Sequence, residues 1–316
     1  MGDPRGGVRG RRGQAGVAIV TAMLIVVLAT TVVAGLLVRE NVTVRSVENR
    51  LAMSQTRWIE RAAVDWAKVI LRADAVSTGA VDHLGEPWAV PVAETRLDET
   101  VTAGAKLSEA TRPATLSGQI IDAQSRLNLQ SLVQGGQPSQ EHIAAFRKLL
   151  TLTGQPASLA DVVVARLLRS VPRTVEGRTV PPTELPLLRL EDLMGLAGID
   201  AAVLDVLRPF ATVLPTPTTV NVNTAAPEVL AALLPDVDLA AARRYVSRRE
   251  RTWYRSLGDA SNAFDGQPVL PPGLLAVGSS HFIVRGVVRF DRVETSSETL
   301  LARNAQKVEI LWQQRQ

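Results

Sequence analysis

The sequence predicts an α+β protein: a long N-terminal helix lies on a small antiparallel sheet, and a large α-helical domain is inserted into that sheet. Three observations carry this expectation. An uncharged stretch, Val17 to Val38, leads into a segment, Leu36 to Asp74, with no proline or glycine. Residues 139–265 read mainly as short helices. Past Pro271-Pro272-Gly273 the hydrophobic period changes to two. At 316 residues, 46% hydrophobic and 21% charged, the chain can fill a core, which excludes a disordered tail or a coiled-coil rod. It has no cysteine, hence no disulfide framework, thiolate zinc site or thiol nucleophile. His83, His142 and His281 are too scattered for a local metal cluster.

Residues 1–16 hold four arginines against one aspartate, so the other 300 residues carry a net charge of only +1 and the basic balance is no nucleic-acid footprint. The 22 uncharged residues from Val17 form a helix of about 33 Å, enough to cross a hydrocarbon core of about 30 Å. Arginines before the span keep the N-terminus in the cytoplasm and send residues 39–316 outside. A cleaved secretory signal needs a shorter apolar core and a small-residue cleavage site. A plain signal anchor fits, and so does a third reading. Gly16 directly precedes the apolar run after a short basic leader, which resembles a type IV prepilin leader. That resemblance implies cleavage between Gly16 and Val17 by a membrane aspartyl peptidase, with the helix retained. Val47, Leu51, Trp58, Ala62, Trp66 and Val69 then recur at helical spacing, so the helix is expected to run from Val17 to Arg72.

Residues 75–117 are mixed, and a strand follows at Leu116–Asp122. EHIAAFRKLLTLTG ends at Gly154, a C′ position, and Ser158 is an N-cap with Asp161 in the first turn of the next helix. LEDLMGLAGI and DAAVLDVLRPF follow as helices split by Gly198, and Leu214-Pro215-Thr216-Pro217 marks a boundary. APEVLAALL and DLAAARRYVSRRER make two more helices. The alternations at His281–Phe290 and Lys307–Trp312 make two strands of one antiparallel sheet.

The ordered set RRGQAGVAIVTAMLIVVL, VDHLGEPWAVP, GQIIDAQSRLNLQSLV, LEDLMGLAGID, LPTPTTVNVNTAAPEVLAAL and SHFIVRGVVRF resembles the K-type minor pseudopilins of type II secretion systems, the GspK family. It covers nearly everything from Arg11 onward. It implies a basic leader (1–16), a transmembrane helix (17–38), a pilin-like α/β domain in two parts (39–138 and 271–316) and an inserted α-helical domain (139–270). It implies a place at the tip of the pseudopilus, initiating or capping assembly for export of folded proteins. The partners would be I-type and J-type minor pseudopilins, the major pseudopilin filament, prepilin peptidase and the inner membrane, with the head in the periplasm. Major pseudopilins carry Glu at the fifth position after the cut, to pair with the amine of a preceding subunit. The residue there is Thr21, and residues 17–38 hold no acid. A subunit with nothing ahead of it has no amine to neutralise.

Family members bind calcium through acids that follow the helix read here as LADVVVARLLRSV. Between Val162 and Leu190 the only acids are Glu176 and Glu184, so no family-like calcium site, and no cofactor, is expected. Asp192, Asp200, Asp205, Asp236 and Asp238 read as solvated or helix-capping acids. A rival reading is a membrane-anchored DNA-binding protein, since VNVNTAAPEVLAALLPDVDLAAARRYVSRRER resembles a helix-hairpin-helix module. Its hairpin, Leu234–Asp238, has no glycine and two negative charges, which repels phosphate. A minor pilin of another type IV filament system is a closer alternative. No triad, H-E-x-x-H, P-loop or G-x-G-x-x-G signature marks an enzyme. His83, beside Asp82 and Glu86, reads as part of a surface turn packed by Trp88.

Overall fold

The computed structural model describes residues 14–77, 79–97, 114–175, 178–290, 293–304 and 307–315. The chain divides into two units, Met1–Arg57 and Trp58–Gln316. The described part of the first unit is one helix, α1, Gln14–Ser77, which continues into the second. It begins three residues before Val17 and runs five past Arg72. The basic leader up to residue 13 lies outside the described residues.

In the second unit five antiparallel strands form one sheet: β1 (Val92–Leu97), β2 (Ala114–Asp122), β3 (His281–Phe290), β4 (Val293–Arg303) and β5 (Val308–Arg315). Their spatial order follows their chain order, and the helical segment intervenes between β2 and β3. Alternation assigns the faces. Phe282 and Val284 join Val64, Ala67 and Leu71 of α1 and Trp88 in one core. Ile283, with Ala123, Leu214 and Leu300, joins another. Each buried Leu or Phe side chain contributes about 1.5–3 kcal/mol of transfer free energy. Glycines let β2 and β3 approach: Gly118 faces Gly286, and a Cβ on Gly118 would lie 2.7 Å from the Arg285 carbonyl oxygen.

Two strands escape the sequence pattern. β4 reads VETSSETLLAR, whose polar run looks like a loop, yet Ser297 and Thr299 are buried and Glu298 is paired with Arg285. β1 is an edge strand with no clear alternation, burying neither face fully.

Between β2 and β3 lie α2 (Gln140–Leu152), α3 (Leu159–Arg169), α4 (Ala201–Leu207), α5 (Pro227–Leu233), α6 (Leu239–Arg249) and α7 (Leu257–Ala263). Gly154 follows α2 at φ +73°, where a glycine is favoured. Asp200 and Asp238 cap α4 and α6 by accepting from Val203 N–H and Ala241 N–H at 2.9 and 2.7 Å. Ser158 is already helical in backbone and makes no side-chain cap; Asp161 does sit in the first turn of α3. LEDLMGLAGI is not an α-helix. Only Leu190–Leu193 forms a 3-10 turn, because Gly195 and Gly198 sit at φ +85° and +80°. The proline-rich stretch separates helices but not cores, since Val213 and Val220 on its two sides share one cluster. That cluster draws on Leu127–Val133 and Leu274–Leu275 as well as on the helices themselves.

Candidate functional site: apolar helix and buried acidic junction

The first feature is α1 as far as Arg57. Val17–Val38 carries no charge, and its large side chains are open to the surroundings: Val17 is 65% exposed and Leu24 65%. The span is long and apolar enough to cross a membrane. Gly16 and Val17 both lie within α1, and Thr21 is one turn on. The Thr21 hydroxyl donates to the Val17 and Ala18 carbonyls at 2.9 and 3.0 Å. Thr30 and Thr31 bond back in the same way. These hydroxyls are therefore satisfied within the helix and can enter an apolar medium without leaving an orphan polar group. No carboxylate is offered to a neighbour at this level.

The second feature belongs to the Trp58–Gln316 unit and inverts the first. Where the sheet meets the helical segment, Asp74, Asp82, Glu86, Asp122 and Arg303 are all buried. Arg303, at the end of β4, donates to Asp74 Oδ2 at 2.8 Å, to Asp82 Oδ1, and to the Ser279 carbonyl at 2.9 Å. Its guanidinium also stacks 4.6 Å from the Phe282 ring centroid. Asp82 Oδ2 accepts from Ser279 N–H at 2.7 Å. Asp122 ends β2 and accepts four bonds: from Gln124 N–H at 2.7 Å, Thr224 Oγ1 at 2.5 Å, Ser279 Oγ at 2.6 Å and Asn221 Nδ2 at 3.1 Å. Asn221 Nδ2 also reaches the Asp82 carbonyl at 3.1 Å. One network thus ties the end of α1, the turn after it, β2, β4 and the Val220–Thr224 segment together.

Burial governs the protonation of these acids. It pushes Asp122 up to about 6 against the pull of its hydroxyl donors. Burial, then the charge of Glu86, pushes Asp74 up to about 6, with Arg303 opposing. Burial also raises Asp82. Carboxylate oxygens of Asp74, Asp82 and Glu86 lie within 4.8 Å of one another, close enough to share an ion. The Arg303 guanidinium bonds two of them, Asp74 and Asp82, and so supplies an internal counter-charge to the cluster.

His83 lies in a turn, as the sequence suggests, but the turn is not a surface one: Asp82, Glu86 and Trp88 are buried, and the ring packs on Trp253. Glu86 Oε2 accepts from the Trp88 indole at 2.6 Å and from His83 N–H at 3.0 Å. The His83 ring stacks on Trp253 at 4.4 Å, and burial lowers its pKa. Sequence reasoning missed Asp74, Asp122, Asn221, Ser279 and Arg303 as a group. The signal was nonetheless in two of the quoted motifs, since Asp122 lies in GQIIDAQSRLNLQSLV and Asn221 in VNVNTAAPEVLAAL.

The acids after α3 give calcium little. Glu184 pairs with Arg166 at 2.6 Å and with Arg169, and Glu176 lies outside the described residues. Among the described residues this loop does not fit a calcium ion, which needs six to eight oxygens. Of the other singled-out acids, Asp192 accepts from Leu188 N–H at 2.8 Å and Asp205 pairs with Arg208 at 3.0 Å.

The α5–α6 hairpin does not present amides to a phosphate. The Leu234, Pro235 and Val237 carbonyls converge instead on the Lys148 ammonium at 2.9–3.3 Å. Arg244 and Arg248 pair with Asp265, Arg243 lies 3.7 Å from Glu228, and the Arg249 guanidinium is buried on the Val222 and Ala225 carbonyls. A DNA-binding hairpin is not favoured.

Comparison with known proteins agrees with this architecture. Two family models, both described as type II secretion system protein K, match residues 125–216 and 220–277. Type II secretion system protein K of Pseudomonas aeruginosa is 31% identical over 79% of this chain and 76% of its own length. The protein of the same name from Pectobacterium carotovorum is 24% identical over 96% of this chain and 97% of its own. A chain in the crystal structure of the GspK–GspI–GspJ complex from enterotoxigenic Escherichia coli shares the fold, with a TM-score of 0.66 at 19% identity, covering 85% of this chain and 99% of that one. On these grounds the chain belongs to the type II secretion system protein K family.

Proposed function

We propose that this protein works at the tip of a type II secretion pseudopilus, where it initiates or caps the filament and is joined by I-type and J-type minor pseudopilins. The role of minor pseudopilin comes with the family. The tip is what the resemblance to K-type minor pseudopilins implies, the apolar helix supports a membrane anchor, and the named complex supports the partners. The observation that carries the reading is the uncharged, exposed helix from Val17 to Val38, which leaves a large apolar surface for lipid and for neighbouring helices. Thr21, whose hydroxyl is satisfied within its own helix, has no charge to offer a subunit ahead of it. The named complex, which shares this fold, supports the choice of partners.

The same reading places the N-terminus in the cytoplasm, the helix in the inner membrane and the head in the periplasm, with prepilin peptidase cutting between Gly16 and Val17. The protein acts as a structural subunit and not as a catalyst, and it holds no calcium in the loop after α3. Co-expression with the peptidase and with I-type and J-type partners tests it. The mature chain should begin at Val17 and co-purify with both partners. An intact Met1 would remove the processing step, and absence of both partners from the purified material would sink the tip assignment.

A further inference from the structure

Arg126 follows the 3-10 turn Ala123–Ser125 at the end of β2, in extended backbone at φ −120°. The chain crosses there from the sheet to the helical core, with Leu127 N–H on the Phe210 carbonyl at 2.9 Å. Arg126 lines a cleft of about 350 Å³ whose other walls come from β3, β4, β5 and the segments 189–191 and 208–213. Four arginines line this cleft, Arg126, Arg189, Arg208 and Arg285, against two glutamates, Glu191 and Glu298. Three of the four have partners. Arg285 donates to Glu298 at 2.8 Å, Arg208 to Glu191 at 2.7 Å, and Arg189 to Gln314. Arg126 makes no hydrogen bond or ion pair among the described residues. Burial first, and then the charge of Arg285, press its pKa down, with the charges of Glu298 and Asp122 opposing. A second donor is also unmet: the Trp312 indole N–H is buried with no acceptor, and Trp312 lines the same cleft.

We propose that this cleft is a binding site for a carboxylate carried by a segment of another protein, held by the Arg126 guanidinium and the Trp312 indole. The Trp312 indole N–H is a buried donor without an acceptor, and Arg126 is a half-buried cation without an ion-pair partner among the described residues, so a ligand that brings acceptors to both gains by satisfying them. The planar guanidinium fork matches a carboxylate in bidentate geometry, and the indole is a donor only. The volume lies at the small end of the range for ligand clefts, roughly 300–1,000 Å³, and suits one or two side chains. Arg189 and Arg208, each 41% exposed in their side chains, are already paired with Asp192 and with Glu191 and Asp205, so the unpaired charge of the cleft is that of Arg126. The site stands on these residues alone and does not depend on the assembly role.

The test uses the full chain in detergent with 5-fluorotryptophan at its five tryptophans, followed by fluorine NMR. Trp312→Phe assigns one signal. A triglutamate peptide should shift the Trp312 signal saturably and leave the others in place, with affinity at least tenfold weaker in Arg126→Gln. Arg126→Lys keeps the charge, loses the fork and should fall between the two, and it serves as the variant where Arg126→Gln does not fold. Inorganic phosphate is the second probe. Saturation by phosphate at lower concentration than by the peptide would overturn the protein carboxylate in favour of a small anion. No saturable shift with either probe, or unchanged affinity in a folded Arg126 variant, overturns the site.

Discussion

The N-terminal helix and the acidic junction depart from ordinary protein surfaces and cores in opposite directions. From Val17 to Val38 apolar side chains are exposed and charge is absent, whereas at the junction Asp74, Asp82, Glu86, Asp122 and Arg303 are charged groups kept from water. The helix is incomplete by itself, since its surface is stable only against lipid or another helix. The junction is complete by itself, since nearly every buried polar atom finds a partner within the head; Glu86 Oε1, facing His83 Nε2 at 3.7 Å, is an exception. One region specifies association, and the other specifies how the sheet and the helical segment are joined.

The hardest blow to this contrast falls on Arg303. Arg303→Met removes the cation between Asp74 and Asp82 while keeping much of the side-chain volume over Phe282. Breaking a buried pair by removing one partner costs about 3–5 kcal/mol. Urea unfolding at neutral pH, followed by tryptophan fluorescence, should show a loss of that size. A loss below about 1 kcal/mol would mean that the junction is not self-contained.

Much of the fold was legible in the sequence because it rests on periodicity. The long helix, the 281–290 strand and the α2, α5 and α6 helices all announce themselves by apolar spacing. β4 did not, because a central strand that buries Ser297 and Thr299 and pairs Glu298 across to Arg285 reads as polar chain. The segment 190–199 misled in the other direction, since its leucines have helical spacing but its glycines take left-handed backbone. The junction was illegible for a different reason. Arg303 is 229 and 221 residues from Asp74 and Asp82 in the sequence, and pairing a buried acid with its base requires the fold. The Arg126 cleft was illegible likewise, being defined by bonds that are missing.

A second, somewhat smaller effect is expected on the helix. Val27 is 63% exposed near the middle of the apolar span. Val27→Asp puts a carboxylate there, and the insertion cost is about 2.5–3.5 kcal/mol. Alkaline carbonate extraction of membranes should release a larger share of the variant than of the parent chain. The head should unfold at the same urea concentration as before, because the substitution lies in the other unit. Equal retention in the membrane would break the reading of this helix as one that needs an apolar medium.

The smallest effect sharpens the account of the junction and turns on sign. Asp122 is pushed from its ordinary 3.8 up to about 6, with burial the largest cause. A carboxyl raised in the folded state binds a proton there while the unfolded chain has already lost its own. Its contribution to stability is therefore full below about pH 3.8 and is lost as pH rises through about 6, at no more than about 1.4 kcal/mol per pH unit. Asp122→Asn removes this titration and leaves the histidines and the other acids in both proteins. The stability advantage of the parent over the variant, measured by urea unfolding at pH 4.5, 5.5, 6.5 and 7.5, should shrink as pH rises and level off above about 6.5. An advantage that grows with pH would show that the bonds from Gln124, Thr224, Ser279 and Asn221 outweigh burial and hold Asp122 ionised. The junction would then be an anion cradle joined to an arginine pair, and not a set of acids that favours protons.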